Sequence, residues 1–147
     1  MFIKNYPFKN MVHYSLDKYV VTCEEAASAK GIPLKNELKS LILNTSIGLY
    51  LLNIPGDSLA NLRSVKMVLN VKEVYLAGEN ILHKLRVQAG TVTPLLEQIW
   101  ELPQLLSLEV LKCEFVSTNA GVLDKYIIFS PKILMTHSNI ITGHFIK

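Results

Sequence analysis

The stretch "NELKSLIL", residues 36–43, places a lysine at the start of a run that otherwise predicts a buried β-strand. Side chains of an extended chain alternate between two faces, so Lys39 shares a face with Leu41 and Leu43. Leucines favour a core, whereas an ammonium group is costly to bury beside them. We therefore expect the surface around Lys39 to open onto a cavity or cleft. The alternatives are a lysine whose stem covers apolar surface with its head in water, or one that protects an edge strand.

Before this stretch the sequence predicts a short helix. Thr22 and Glu25 have the spacing of a capping box, in which side chains bond the free amides of the first helical turn. The segment "CEEAASAK" is followed by Gly31 and Pro33, and both residues favour the end of a helix. We expect the helix to cover about residues 23–30.

After this stretch the chain predicts an alternation of strands and helices. "LKSLILN" and "GLYLLNIP" predict two strands joined by a turn around residues 44–48, and Leu62, Val65 and Leu69 have helical spacing. The remaining predictions are a short strand in "KEVYLAG", a helix in "NILHKLR", a hairpin of "SLEVLKCEFVS" and "DKYIIFS" around "TNAG", a helical turn opened by Pro131 in "PKILM", and a closing strand in "NIITGHFIK". Short turns join many of these strands, so we expect an α+β domain with a mixed, largely antiparallel sheet and packed helices.

Length and composition favour one domain, residues 1–147. Half of the residues are hydrophobic and 18% are charged, which is typical of a chain with a real core and little disorder. The sequence has neither an apolar run of about 20 residues nor a signal-peptide pattern, so we expect a soluble, cytoplasmic protein with no membrane partner. Two cysteines, Cys23 and Cys113, fit a reducing compartment, and the net charge of +3 permits contact with a polyanion such as RNA.

Common catalytic motifs are absent from the sequence. GxGxxG, the P-loop, GxSxG and HExxH do not occur, and the cysteines and histidines lack metal-ligand spacing, so we expect no metal and no cofactor. The four histidines are scattered, and His83 is expected on the solvated face of a helix. Cys113 is expected inside a strand, on the same face as Leu111 and Phe115, where a structural cysteine is the commoner case.

One loop, "QAGTVTPLLE" at residues 88–97, is a candidate for binding a carbonyl group. Gly90 can adopt backbone angles closed to other residues, and Pro94 fixes its own φ while pushing Thr93 toward extended geometry. A loop held in this way can aim main-chain N–H groups at a carbonyl or oxyanion. The alternative is an ordinary turn in which Thr93 caps a helix with Pro94 at its first position.

Taken in order, these segments resemble the YbaK/ProX family of aminoacyl-tRNA editing domains. The resemblance extends over roughly residues 12–146 and includes "AKGIPL", "ELKSLIL", "IPGD", "EVYLAG", "GTVTP", "STNAG" and "PKIL". Its most specific parts are Lys39, which matches the family's functional lysine, and residues 90–94, which match its G-x-x-x-P loop. What the resemblance implies is hydrolysis of the ester that joins a wrong amino acid to tRNA, with no metal and no covalent enzyme intermediate.

The resemblance also implies a set of site residues. Lys39 and Gly90 are the expected catalytic residues: the lysine contacts the region of the terminal adenosine, and the glycine belongs to the loop that holds the aminoacyl carbonyl. The expected substrate-binding residues are Thr91, Val92, Thr93, Pro94, Asn119 and Gly121. For the last two, a tight turn between strands is an equally good explanation. The substrate's own ribose hydroxyl is expected to assist.

The expected partner is the acceptor end of a mischarged tRNA, with an aminoacyl-tRNA synthetase as a further candidate. Basic residues that are candidates for contact with the acceptor stem are Lys35, Lys39, Arg63 and Lys66. Since the sequence contains only the predicted domain, we expect it to act in trans. A second hypothesis is a non-catalytic module that retains the fold and binds a tRNA end or a synthetase, because one fold supports several functions.

Overall fold

Eight strands and five α-helices make up the computed structural model of the protein, which describes residues 6–147. The strands are β1 (Tyr14–Ser15), β2 (Leu38–Thr45), β3 (Gly48–Pro55), β4 (Val74–Leu76), β5 (Gln104–Ser107), β6 (Val116–Asn119), β7 (Lys125–Phe129) and β8 (Ile140–Gly143). The α-helices are α1 (Cys23–Lys30), α2 (Leu62–Leu69), α3 (Glu79–Lys84), α4 (Glu97–Trp100) and α5 (Leu108–Leu111). Two 3₁₀ helices cover Leu34–Asn36 and Pro131–Thr136. Each helix in this part of the chain is too short or too polar to cross a membrane.

The strands form two sheets. Five of them lie in the order β4-β2-β3-β5-β8, antiparallel from β4 to β3 and parallel from β3 to β8. The other sheet has the order β1-β7-β6 and is antiparallel. A bridge between Glu37 and Ser117 connects the two sheets just before β2. The predicted α+β class with mixed, largely antiparallel pairing is confirmed, and the division into two sheets is an addition that the sequence did not predict.

The β2–β3 hairpin is the centre of the larger sheet. Its turn closes where Thr45 pairs with Gly48, and the Thr45 hydroxyl donates to the Gly48 carbonyl at 2.7 Å. The predicted alternation is confirmed, because Leu41 and Leu43 pack into one apolar cluster with Val65 of α2. Lys39 belongs to the same face by register, one step before the cluster begins.

The opposite face of the hairpin carries a row of buried polar side chains. The Ser40 hydroxyl donates to Asn53 Oδ1 at 2.8 Å, and Asn53 Nδ2 donates to Gln104 Oε1 at 3.1 Å. Gln104 Nε2 in turn donates to the Trp100 carbonyl at 3.4 Å. Buried polar groups are tolerated when they are bonded in this way, and the row fixes the register of β2, β3 and β5.

The helix boundaries follow the caps in the sequence. In α1, Glu25 N donates to the Thr22 hydroxyl at 3.1 Å, and Gly31 ends the helix with a φ of 70°. The predicted bounds of this helix are confirmed. Pro131 opens a 3₁₀ helix as expected.

The predicted strand over "SLEVLKCEFVS" is wrong in its first half. Leu108–Leu111 is helical, and the strand begins only at Val116. Cys113 therefore lies in the connection between them rather than in a strand with Leu111 and Phe115. A short run of apolar residues has the same composition in a buried helix and in a strand, and here the packing of Val110 into the core selects the helix.

Candidate functional site

A cavity of about 450 Å³ lies where α1 and the two sheets meet. We call it the central cavity. Its walls come from residues 20–24 and Lys30, from residues 37–42 of the first half of β2, and from the loop residues 89, 90 and 92. Residues 118–119 and 125–126, at the connected ends of β6 and β7, also contribute, and residues 16, 26, 76, 77 and 82 complete the lining. Most of the lining is apolar with a few polar groups, which is the usual character of a ligand pocket.

Lys39 is the residue around which the sequence predicted such an opening. It lines the central cavity, and its ammonium group donates to the Ser58 carbonyl at 2.8 Å. This bond fixes the position of the positive charge of a residue that lines the cavity. Cys23 lies nearby, and burial raises the pKa of its thiol although the Lys39 charge acts in the opposite direction. The thiol is therefore the neutral form at neutral pH and a weak nucleophile.

The loop of residues 88–97 has a fixed shape. Gly90 has a φ of 85°, which lies in the left-handed region that favours glycine. The Thr91 hydroxyl donates to the Gln88 carbonyl at 2.8 Å, and Leu95 N donates to the Thr93 hydroxyl at 3.2 Å. The alternative of an ordinary turn is partly confirmed, because the Thr93 hydroxyl and carbonyl accept from the amides of Leu95 and Leu96. The helix that it placed at Pro94 is wrong, because α4 begins only at Glu97.

Three cavity-lining residues of this loop have main-chain amides without an acceptor. The internal hydrogen bonds use the amides of Thr91, Leu95 and Leu96. The amides of Ala89, Gly90 and Val92 have no acceptor within residues 6–147, and all three residues line the cavity. Main-chain donors held by a rigid loop can stabilise negative charge on an oxygen without a catalytic side chain.

Asn119 connects this loop to the β6–β7 turn. Its Nδ2 donates to the Gly90 carbonyl at 3.3 Å, and its Oδ1 accepts from Gly121 N at 2.8 Å. Gly121 has a φ of 87°. The tight turn is confirmed, and it places Asn119 in the cavity lining, where its side chain bonds the loop.

The structure brings some of the predicted site residues into one cavity and places others behind it. The residues that line it are Lys39, Gly90, Val92 and Asn119. Thr91, Thr93 and Pro94 are buried in the loop, and the Thr118 hydroxyl donates to the Thr93 hydroxyl at 3.2 Å. Gly121 lies in the turn.

A buried ion pair in the cavity wall was not predicted. Lys30 Nζ lies 2.8 Å from Glu37 Oε1 and 3.1 Å from Oε2, and the two side chains are 2% and 5% exposed. The same ammonium donates to the Ser117 hydroxyl at 2.9 Å and lies 4.6 Å from the centre of the Tyr126 ring. Lysine and glutamate near a helix end are normally solvated, so the sequence carries no signal for this contact. Only the chain reversal after α1 brings them together.

Within the described residues, no three histidine, cysteine or acidic side chains lie close enough together to hold a metal ion.

The geometry defines a class of protein, an α+β domain in which a lysine and a loop with free amides line one apolar cavity. Comparison with protein families then identifies the class. The model of the aminoacyl-tRNA editing domain matches residues 17–136, and the chain belongs to this family. No curated protein matches the sequence.

Solved structures share the fold. A candidate trans-editing enzyme for prolyl tRNA synthetase is 21% identical and superposes with a TM-score of 0.86, covering 98% of this chain and 91% of its own. The hypothetical protein APE2540 is 24% identical with a TM-score of 0.84, covering 94% of this chain and 92% of its own. At this level of identity the likeness establishes the fold, a mixed α/β arrangement common to all three.

Proposed function

We propose that the protein is a trans-acting aminoacyl-tRNA deacylase that hydrolyses the ester of a mischarged tRNA in the cytoplasm, without a metal or a covalent intermediate. The observation that carries this proposal is that Lys39 and the loop residues Gly90 and Val92 line the same cavity. Membership of the editing-domain family supports the reaction class. The fold shared with a candidate trans-editing enzyme supports action in trans.

In the proposed reaction the loop binds the aminoacyl carbonyl. Water adds to the carbonyl carbon, negative charge develops on the carbonyl oxygen, and the bond to the ribose oxygen breaks with transfer of a proton to that oxygen. The free amides of Gly90 and Val92 would donate to the developing oxyanion, which is a form of stabilisation that often contributes the largest part of catalysis. The neighbouring ribose hydroxyl of the substrate is proposed to assist the proton transfer.

Lys39 would hold the end of the tRNA. A lysine cation attracts phosphate and polarised oxygens, and the contact is stronger in a partly dry cavity than in water. The bond to the Ser58 carbonyl keeps the ammonium at the cavity wall before substrate arrives. From there the lysine would position the terminal adenosine so that the ester lies against the loop. Asn119 would support the loop through its bond to the Gly90 carbonyl.

The experiment measures the deacylation rate of the Lys39→Ala variant on a panel of mischarged tRNAs, together with its melting temperature. Loss of the positioning group shifts the ester relative to the loop, and a shift of about 1 Å costs on the order of a hundredfold in rate. We expect that loss with an intact fold, and we expect Lys132→Ala, an exposed lysine outside the cavity lining, to deacylate at the wild-type rate. Parallel assays in EDTA test the independence from metal.

A folded Lys39→Ala protein that deacylates as fast as the wild type would refute the role of the lysine. If the wild-type protein binds tRNA but releases no amino acid from any member of the panel, the proposal of catalysis fails. The non-catalytic tRNA-binding module would then be the better description.

A further inference from the structure

Two tyrosines lie side by side on the smaller sheet, next to the central cavity. Tyr14 of β1 pairs directly with Tyr126 of β7, and the two rings stack with centroids 5.4 Å apart and planes inclined by 27°. Tyr126 lines the cavity, whereas Tyr14 lies outside the lining and is 47% exposed. An exposed aromatic ring therefore continues outward from a ring of the cavity wall.

The inner ring of this stack has a fixed position. Lys30 Nζ lies 4.6 Å from the centre of the Tyr126 ring, and a cation over an aromatic face attracts it. The same ammonium is held by Glu37 and by the Ser117 hydroxyl, so it cannot move away from the ring. Tyr14 therefore stacks against a ring whose orientation is set before a ligand arrives. A surface prepared in this way loses little conformational entropy when it binds.

The strand register connects the two rings to the loop of residues 88–97. Asn119 of β6 pairs with Tyr126, which pairs with Tyr14, so the three side chains form one row across the sheet. At the inner end of the row, Asn119 Nδ2 donates to the Gly90 carbonyl at 3.3 Å. Neighbouring strands are about 4.8 Å apart, which places Tyr14 roughly 10 Å from Asn119 along the row. A ribose can span such a distance between an ester at the loop and a base at Tyr14.

The chemistry around the row suits the end of a single-stranded nucleic acid. Proteins that bind such strands combine basic side chains for the backbone with aromatic rings on which bases stack. Here Lys39 and Lys125 line the cavity that Tyr126 also lines. The structural alternative is a cross-strand aromatic pair that only stabilises the short strand β1. That alternative predicts that ligand binding does not depend on a base.

On the basis of the proposed deacylase function, we propose that Tyr14 stacks on the terminal base of the tRNA and that Tyr126 holds the Tyr14 ring in place. The base lies at the rim of the cavity, the ribose ester reaches the loop, and the aminoacyl group occupies the cavity. Stacking uses the flat face of a base rather than its edges. The contact therefore contributes affinity and position for the adenosine that ends every tRNA, without choosing among tRNAs.

The test is calorimetric binding of two compounds that differ only in the base. One is 3′-amino-3′-deoxyadenosine with alanine joined to the 3′ nitrogen by an amide, and the other has hydrogen in place of the adenine. We expect the wild-type protein to bind the adenine compound at least about tenfold more tightly, since base stacking on an aromatic ring contributes that much or more. In Tyr14→Ala we expect the ratio to fall toward one. Tyr14→Phe, which keeps the ring, should keep the ratio.

The matched control is Tyr19→Ala, at a tyrosine of the same segment that is 71% exposed and lies outside the cavity lining. This variant should keep the wild-type ratio. A wild-type protein that binds neither compound, or binds both equally, overturns the proposal, and so does a Tyr14→Ala protein with the wild-type ratio. Equal weakening of both compounds in Tyr14→Ala, with a lower melting temperature, assigns the pair a structural role and also overturns it.

The amide compounds also distinguish failure of this inference from failure of the proposed function, because they are not hydrolysed as esters. A preference for the adenine compound that is lost in Tyr14→Ala supports the base contact even if no mischarged tRNA is deacylated. Equal binding of the two compounds overturns it even if deacylation is fast. Adenosine alone should bind more weakly than the alanyl compound. Equal affinity for these two would place the base at a nucleoside site separate from the ester and would overturn the proposed arrangement.

Discussion

At the scale of single residues, the cavity depends on a glycine whose replacement is restricted in two ways. Gly90 has a φ of 85°, and a Cβ atom there would lie 3.1 Å from Val21 Cγ1 and 3.4 Å from Leu123 Cδ2. The first restriction is backbone strain and the second is crowding in the wall of the cavity. Val21 lines the cavity as well. A side chain at position 90 would therefore change the loop and its surroundings together.

We predict that Gly90→Ala loses both stability and deacylation. The left-handed backbone costs about 1–2 kcal/mol for a residue with a Cβ atom, and relief of the strain moves the amides that face the carbonyl. The control is Gly48→Ala in the β2–β3 turn, which has a φ of 122° and open space around the added atom. Both variants should unfold at lower urea concentration, but only Gly90→Ala should lose deacylation. Equal activity of the two variants would contradict the role of the loop.

Cys23 is a nucleophilic side chain of the cavity lining that the proposed reaction does not use. Burial raises the pKa of its thiol, and the nearby Lys39 and Lys30 charges only partly oppose the rise. A neutral thiol does not form an acyl-enzyme efficiently. We therefore predict that Cys23→Ala deacylates within about threefold of the wild type, as does Cys113→Ser. A trapped acyl group on Cys23, seen by mass spectrometry, would be the opposite result.

At the scale of elements, the sequence predicts segments that are bounded by local signals. The capping residues fix α1, and the turn at Gly48 fixes the β2–β3 hairpin, because caps and turns depend on neighbouring residues alone. The pairing of β5 between two parallel strands depends on distant segments, and "QLLS" at residues 104–107 carries no signal of its own. The same lack of a local signal explains the wrong strand at α5.

The candidate site likewise contains residues that the sequence signals and residues that only the structure brings together. Lys39 and residues 90–94 stand out in the sequence because a charge in an apolar strand and a glycine-proline loop are unusual patterns. Glu37 and Lys30 meet because the chain reverses after α1, and Ser117 reaches them from the other sheet. No pattern of neighbouring residues contains that information. The Lys30–Glu37 contact is therefore evident only in the structure.

The Glu37 carboxyl, in the connection from α1 to β2, should make the stability of the protein depend on pH. Burial raises the pKa of the Glu37 carboxyl above its ordinary value of 4.5, and the bond and charge of Lys30 offset only part of the rise. The folded state therefore binds this proton more tightly than the unfolded state does. Its contribution to stability is complete below pH 4.5 and is lost as the pH rises through the raised pKa.

We predict that Glu37→Gln removes this dependence. Urea unfolding of both proteins from pH 4 upward gives the difference in the free energy of unfolding, in which the other titrating groups cancel. The wild type should lose stability relative to Glu37→Gln as the pH rises above the ordinary glutamate pKa. If the free energy of unfolding of the wild type instead rises relative to that of Glu37→Gln over the same pH range, Lys30 lowers the carboxyl pKa more than burial raises it.

At the scale of the whole molecule, a second concave surface shares strand β4 with the central cavity. A groove of about 340 Å³ lies between α2 and β4, and its charged residues are Arg63, Lys66, Lys72 and Glu73. Leu76 of β4 lines the central cavity, whereas Val74 and Tyr75 of the same strand line the groove. Because the same strand borders both surfaces, we propose that the groove contacts backbone phosphates of an acceptor end whose ester occupies the cavity.

We predict that removing the three basic side chains of the groove, in Arg63→Ala/Lys66→Ala/Lys72→Ala, weakens tRNA binding and makes it less sensitive to salt. Each lost phosphate contact reduces the slope of log K against log salt by roughly 0.7–0.9, because fewer counterions are released. The control is Lys9→Ala/Lys112→Ala/Lys132→Ala, at exposed positions outside both concave surfaces. Both variants take the net charge from +3 to 0, so they share any effect of overall charge.

Only the groove variant should show the shallower slope and a higher KM for tRNA, while turnover at saturating tRNA stays near the wild-type value. Identical slopes for the two variants would place the tRNA backbone elsewhere on the protein.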